Sequence, residues 1–87
     1  MVMNVSETSM AAVGAYFEEE YHVTLSEAML RMYMEPVSLA RKLARDATRK
    51  GVHLYARNGE LISIDESDSE YLASLKIRLA PATTAIA

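Results

Sequence analysis

The chain has 87 residues and a net charge of −3, and 51% of its residues are hydrophobic. We expect one globular domain over residues 1–87, because the composition is too apolar for intrinsic disorder. With no cysteine, the chain has no disulfides or thiolate zinc sites, which suits a reducing cytoplasm. Without a basic signal region or an apolar run of about 20 residues, we expect neither secretion nor a membrane span.

Charges are segregated along the chain. Residues 1–35 carry six acids and one base, and residues 60–87 carry five acids and two bases. Between them, residues 36–59 carry six bases and the single acid Asp46. Blocks of this kind bear on partners and solubility rather than on the fold.

The first predicted element is a helix over about residues 7–21, whose apolar side chains recur at helical spacing: Met10, Val13, Phe17 and Tyr21. Its last turn carries Glu18, Glu19 and Glu20, and acids at this end oppose the helix dipole. We therefore expect the basic segment of the chain to pack there.

A second predicted helix starts near Leu25, because Thr24-Leu25-Ser26-Glu27 has the form of a capping box. It should end near Glu35, before the proline that follows. Three methionines cluster in or beside it: Met29, Met32 and Met34. Core filling and an adaptable docking surface both account for such a cluster.

The third predicted helix, over residues 36–50, is amphipathic. Its apolar face carries Val37, Leu39, Ala40, Leu43, Ala44 and Ala47. Its basic face carries Arg41, Lys42, Arg45 and Arg49. Gly51 follows where a left-handed C-cap belongs.

Asn58-Gly59 between two β-prone runs predicts a hairpin with a type I′ turn, which needs positive φ at both central residues. This register pairs Arg57 with Glu60, Ala56 with Leu61, Tyr55 with Ile62 and His53 with Ile64.

A final helix is predicted over about residues 68–79, after the capping-box sequence Ser67-Asp68-Ser69-Glu70. Residues 75–79 also alternate as a strand would, so a third strand there stays open. Residues 1–5 and 82–87 are expected to be loose ends. The predicted fold is α+β in the order α-α-α-β-β-α. Because a two-stranded hairpin is marginal alone, a homodimer or a partner-bound state is expected.

Catalysis, metal binding and a cofactor are not expected. His22 and His53 are far apart and show none of the usual ligand spacings. Consecutive residues on a helix diverge by about 100°, so the three glutamates are not convergent. The acids from Asp65 to Glu70 suit a loop and a first helical turn. We therefore predict a protein that is not an enzyme.

The basic face is the more informative feature, since clustered arginines bind phosphates or acidic protein surfaces. A solvated helix face neutralised by the acidic ends of the chain is the structural alternative. Nine side chains are candidates for partner binding: Arg41, Lys42, Arg45, Arg49, Arg57, Tyr55, Glu18, Glu19 and Glu20.

Residues 36–80 resemble the Phd/YefM-type antitoxins in three features. These are Ala40-Arg41-Lys42-Leu43 on a helix, a hairpin with Arg57-Asn58-Gly59 at its tip, and Tyr71 opening the last helix. Members of that family dimerise, bind operator DNA through an N-terminal region and inhibit a toxin through a C-terminal segment. The family begins with a short strand, whereas this sequence predicts two helices first. The resemblance implies phosphate contacts for Arg41 and Arg45.

Two functions follow as expectations. The first is a small inhibitory or regulatory protein, of the kind carried by phages and mobile elements, that binds a larger protein such as a host defence complex. Its acidic surfaces would then mimic nucleic acid. The alternative is an antitoxin-like transcriptional regulator that places the basic helix on DNA and neutralises a toxin.

Overall fold

The computed structural model describes residues 2–5 and 8–79 of the chain. Its elements are β1 (Val2–Asn4), α1 (Met10–Tyr21), α2 (Glu27–Tyr33), α3 (Pro36–Arg49), β2 (Leu54–Arg57), β3 (Glu60–Ser63) and α4 (Glu66–Arg78). The predicted α+β class is confirmed, with four helices and the β2–β3 hairpin in the expected order. The tail expected over residues 82–87 lies outside the described residues. None of the described helices has both the length and the hydropathy to cross a membrane.

A three-stranded antiparallel sheet, in the order β1-β3-β2, forms one side of the domain. β1 differs from the loose end expected over residues 1–5, because Met3 pairs with Leu61 and Asn4 with Glu60. Directly after β1, Val5 is buried and donates its N–H to the Gly59 carbonyl at 3.2 Å. Pairing with the second edge of β3 thus orders a segment for which the sequence did not predict a strand.

The predicted hairpin register is confirmed from Leu54 opposite Ser63 to Arg57 opposite Glu60. Asn58 and Gly59 have φ of 50° and 85°, the positive values that a type I′ turn requires. The expected pair of His53 with Ile64 lies beyond the ends of β2 and β3.

Apolar faces of α3 and α4 pack on the inner face of the sheet, and α1 joins them in one core. Its buried residues are Val5, Val13, Tyr16, Phe17, Leu39, Ala40, Leu43, Ala47, Leu54, Leu61, Leu72, Leu75 and Leu79. α3 contributes most because its apolar positions recur at 3.6-residue spacing. Residues 75–78 continue as helix, with Leu79 as its C-cap, rather than forming a strand, since this conformation buries Leu75 and Leu79 and leaves Ile77 in solvent.

α2 begins two residues later than its capping-box sequence predicts. Ser26, not Thr24, is the N-cap, and its hydroxyl accepts a hydrogen bond from the Met29 N–H at 3.3 Å. No residue of this seven-residue helix is buried. Met29 and Met32 are exposed, so the structure supports a surface position for this pair over core filling.

The hairpin tip lies directly against the first turn of α3. A Cβ built on Gly59 would lie 2.8 Å from the Pro36 Cβ, closer than real Cβ contacts allow. Gly59 also has a positive φ, which L side chains rarely adopt. Because the proline ring is rigid and begins a helix, a larger residue at the turn must displace backbone.

We predict that Gly59→Ala lowers the free energy of unfolding by about 2–4 kcal/mol, combining left-handed strain with overpacking. Gly51→Ala is the matched control, since Gly51 has φ of 78° but nothing within 4 Å of an added Cβ. It should lose only about 1–2 kcal/mol. Urea denaturation of both variants measures the difference, and equal losses would contradict a tight contact with Pro36.

Candidate partner-binding surface

Three arginines project from the outer side of α3 at intervals of four residues. We call Arg41, Arg45 and Arg49 the arginine ridge. All three side chains are exposed. Within the described part of the chain, no carboxylate lies within the 4.0 Å of an ion pair with any of them. At about 6 Å of helix per interval, the ridge extends some 12 Å along the surface.

Asp46, the only acid between residues 36 and 59, does not neutralise this ridge. It points into the core, is 3% exposed and accepts a hydrogen bond from the Tyr16 hydroxyl at 3.1 Å. Lys42 follows it inward, with Nζ 3.3 Å from Asp46 Oδ1 and 4.7 Å from the centroid of the Tyr21 ring. The contact with Oδ1 is an ion pair without hydrogen-bond alignment. Lys42, predicted on the solvent face, is thus largely enclosed under α1.

This inner cluster fastens α1 to α3. Burial and the neighbouring Asp46 carboxylate raise the pKa of Tyr16 well above its ordinary value of 10.0. Burial by itself lowers the pKa of Lys42, but its polar contacts with Tyr21 and with the Asp46 carboxylate outweigh burial and raise that pKa above 10.5. Tyr16 therefore stays neutral and Lys42 stays charged at physiological pH.

A second set of charges joins the C-terminal ends of three helices. Glu20 accepts from Lys50 Nζ through Oε1 and from the Arg78 guanidinium through Oε2. Arg78 also lies 3.4 Å from Glu19 and stands over the Tyr16 ring. The acidic end of α1 thus pairs with Lys50 of the basic segment, as expected, and also with Arg78 of α4.

The predicted site residues therefore separate into two groups. Glu20 and Lys42 are engaged within the domain, with Glu19 partly so. Glu18 is exposed and lines a wide depression of about 540 Å³ whose other lining residues are Ala15, Glu19, His22 and Thr24. Among the described residues, no group of histidines and acids is placed to hold a metal ion.

Arg57 lies across a cleft from Arg41, the first residue of the arginine ridge. This cleft of about 310 Å³ lies between the start of α3 and the hairpin tip, lined by Val37, Arg41, Ala56, Arg57, Asn58 and Gly59. Arg57 is exposed and forms no ion pair within the described residues. Tyr55, on the outer face of the sheet, is 53% exposed. Two cationic side chains from two elements, Arg41 and Arg57, thus line one cleft.

Sequence reasoning did not identify several exposed apolar residues near or beyond this surface. Val37, expected in the core, is 36% exposed at the cleft, and Ile64 is 72% exposed just after β3. The signal for Val37 was its position within the first turn of α3, at the end of the helix. The signal for Ile64 was its position beyond the last cross-strand pair.

Comparison with known proteins identifies no relative. No protein-family model, no curated protein and no solved structure matches the chain.

We predict that Glu20→Gln lowers the free energy of unfolding at pH 7 by about 1–2 kcal/mol, because two charge-assisted hydrogen bonds are weakened. Hydrogen bonds from Lys50 and then Arg78 outweigh burial and hold the pKa of Glu20 below its ordinary 4.5. Stability from a lowered acid pKa is present above 4.5 and is lost as the pH falls through the folded-state value.

The stability difference between Glu20→Gln and the unsubstituted protein should therefore shrink as the pH falls below 4.5. Chemical denaturation across this range measures it. Glu18→Gln is the control, since Glu18 is on the same helix but exposed and outside any ion pair of the described residues. A difference that is constant with pH would show that Glu20 does not act through its charge.

Proposed function

We propose that this chain is a small non-enzymatic regulatory or inhibitory protein that binds a larger protein through its arginine ridge. The single observation that carries the proposal is the absence of any ion-pair partner for Arg41, Arg45 and Arg49 among the described residues. Charges that the domain does not neutralise are available to an acidic surface on a partner.

The surroundings of the ridge favour a protein over a nucleic acid. Val37 places exposed apolar surface in the cleft beside Arg41, and Tyr55 does so on the same face of β2 as Arg57. Interfaces between proteins combine such anchors with arginine. The chain as a whole carries a net charge of −3, which opposes long-range attraction to a polyanion. An inhibitor of a host defence complex, acting in the cytoplasm, is one form that this function takes.

We predict that Arg45→Glu weakens binding to the partner at least about tenfold, or about 1.4 kcal/mol, because repulsion replaces attraction at the centre of the ridge. The partner is first isolated by affinity capture from lysate of the source organism, and its dissociation constant is then measured by calorimetry. Binding should also weaken as salt is raised, since the charges are exposed.

Lys76→Glu is the matched control, because it changes the net charge equally at an exposed position of α4 outside the ridge. Its affinity should stay within about twofold of that of the unsubstituted protein, since distant exposed charges are largely screened. Equal weakening by both substitutions would reduce the effect to net charge and remove the ridge from the proposal.

The second candidate is an antitoxin-like transcriptional regulator that dimerises and binds DNA. The observation that favours it is β1, because the Phd/YefM-type antitoxins begin with a short strand, which the sequence did not predict here. The arginine ridge and Arg57 at the hairpin tip supply cations that suit a phosphate backbone.

If the second candidate is right, the protein shifts duplex DNA from the region upstream of its own gene, and raising the salt weakens the complex steeply. Arg41→Glu combined with Arg45→Glu abolishes the shift, since both phosphate contacts are reversed. Lys76→Glu keeps it. Gel-shift titration at low salt measures this. If the unsubstituted protein does not shift the upstream duplex, the regulator is eliminated.

A further inference from the structure

We propose that the free edge of β2 binds an extended acidic segment of the partner protein, which adds a fourth strand to the sheet and places two adjacent carboxylates at Arg41 and Arg57. This inference rests on the proposed function and names the kind of segment that is recognised. The binding site proposed here is the edge of β2 and the cleft beside it, whereas the centre of the arginine ridge, Arg45, lies outside both.

The edge itself is suited to strand addition. β2 has β3 on one side and, among the described residues, no strand on the other. Arg57 and Glu60 flank the two-residue turn and form a hydrogen-bonded pair, so the next pair, Ala56 and Leu61, does not exchange hydrogen bonds. The N–H and C=O of Ala56 therefore point toward the free edge, where a partner strand makes main-chain hydrogen bonds.

A groove runs beside this edge. α3 forms one wall through Val37 and Arg41, and the end of β2 with its turn forms the other. The cleft volume of about 310 Å³ is near the lower limit of ligand pockets, about 300 Å³. The contact of Gly59 with Pro36 fixes the two walls relative to each other, so the groove is formed before any partner binds.

The charges select an acidic strand. Successive residues of a strand face opposite sides, so a residue beside Ala56 faces α3 and Arg41, while its neighbour beside Arg57 faces the outer side of the sheet. Both guanidinium groups are exposed without an ion pair in the described residues, and their forked donors match carboxylates. Pairing of two copies through β2 is disfavoured, because it brings the Arg57 charges of both copies to one short edge.

The test uses a capped hexapeptide of threonine and valine with two adjacent central glutamates, titrated into the isotope-labelled protein and followed by NMR. At saturation, amide hydrogen exchange of Ala56 should slow at least about tenfold, because its N–H becomes hydrogen-bonded. Arg57→Gln should weaken the peptide about fivefold or more. The same substitution should not change the affinity for a control peptide that has glutamines in place of the two glutamates.

Two further peptides carry N-methyl groups at alternate residues, one set on each side of the strand. Only one set faces β2, so one of these peptides should lose at least tenfold in affinity and the other should bind. The proposal is overturned if both bind as the parent does, if Ala56 exchange is unchanged at saturation, or if duplex DNA protects the Ala56 amide and the peptide does not.

Failure of this inference is distinguishable from failure of the proposed function. Partner binding that depends on Arg45 but not on Arg57, with both N-methylated peptides binding equally, would retain the ridge and remove strand addition. If the peptide binds at Ala56 but Arg45→Glu leaves the affinity for the partner unchanged, strand addition is retained and the ridge is removed.

Discussion

The burial of Asp46 against Tyr16 determines how charge is distributed over the rest of this domain. The basic segment contains one acid, and a helix of 3.6-residue period places it on the same side as Leu39 and Leu43. Because it is buried, the Asp46 carboxylate pairs with Lys42 under α1 and is not available to the exposed arginines. A buried acid without such partners would be strongly unfavourable. The ridge is cationic because its nearest counter-charge along the chain serves to hold two helices together.

The same logic governs the acidic end of α1. Glu20 reaches Lys50 and Arg78, so the charges that oppose the dipole of α1 are balanced by the last turns of α3 and α4. Three helix ends are thereby fixed around one carboxylate. The bases used in this way, Lys50 and Arg78, are not members of the arginine ridge, although Lys50 directly follows Arg49. The domain thus uses some of its cations for stability and leaves the arginine ridge without an ion pair among the described residues.

Local chemistry made much of the fold predictable from sequence. Asn58-Gly59 permits one tight turn, and the turn in turn fixes every cross-strand pair of β2 and β3. β1 was not predictable, because three residues carry no periodicity and are ordered only by the edge of β3. The start of α2 was misplaced because Thr24 and Ser26 are both good caps, and tertiary contacts, not propensity, decide between them.

The candidate site was predictable only in part, for a related reason. Helical spacing placed Arg41, Arg45 and Arg49 outward correctly, since their direction follows from the apolar stripe alone. Lys42 was predicted in solvent because a polarity pattern treats every lysine as polar. Such a pattern does not show that a buried carboxylate, here Asp46, can pair with the lysine. The cleft between Pro36 and Gly59 depends on a contact between segments more than 20 residues apart. What sequence supplies is the direction of each charge, and what tertiary packing adds is the set of charges that remain unneutralised.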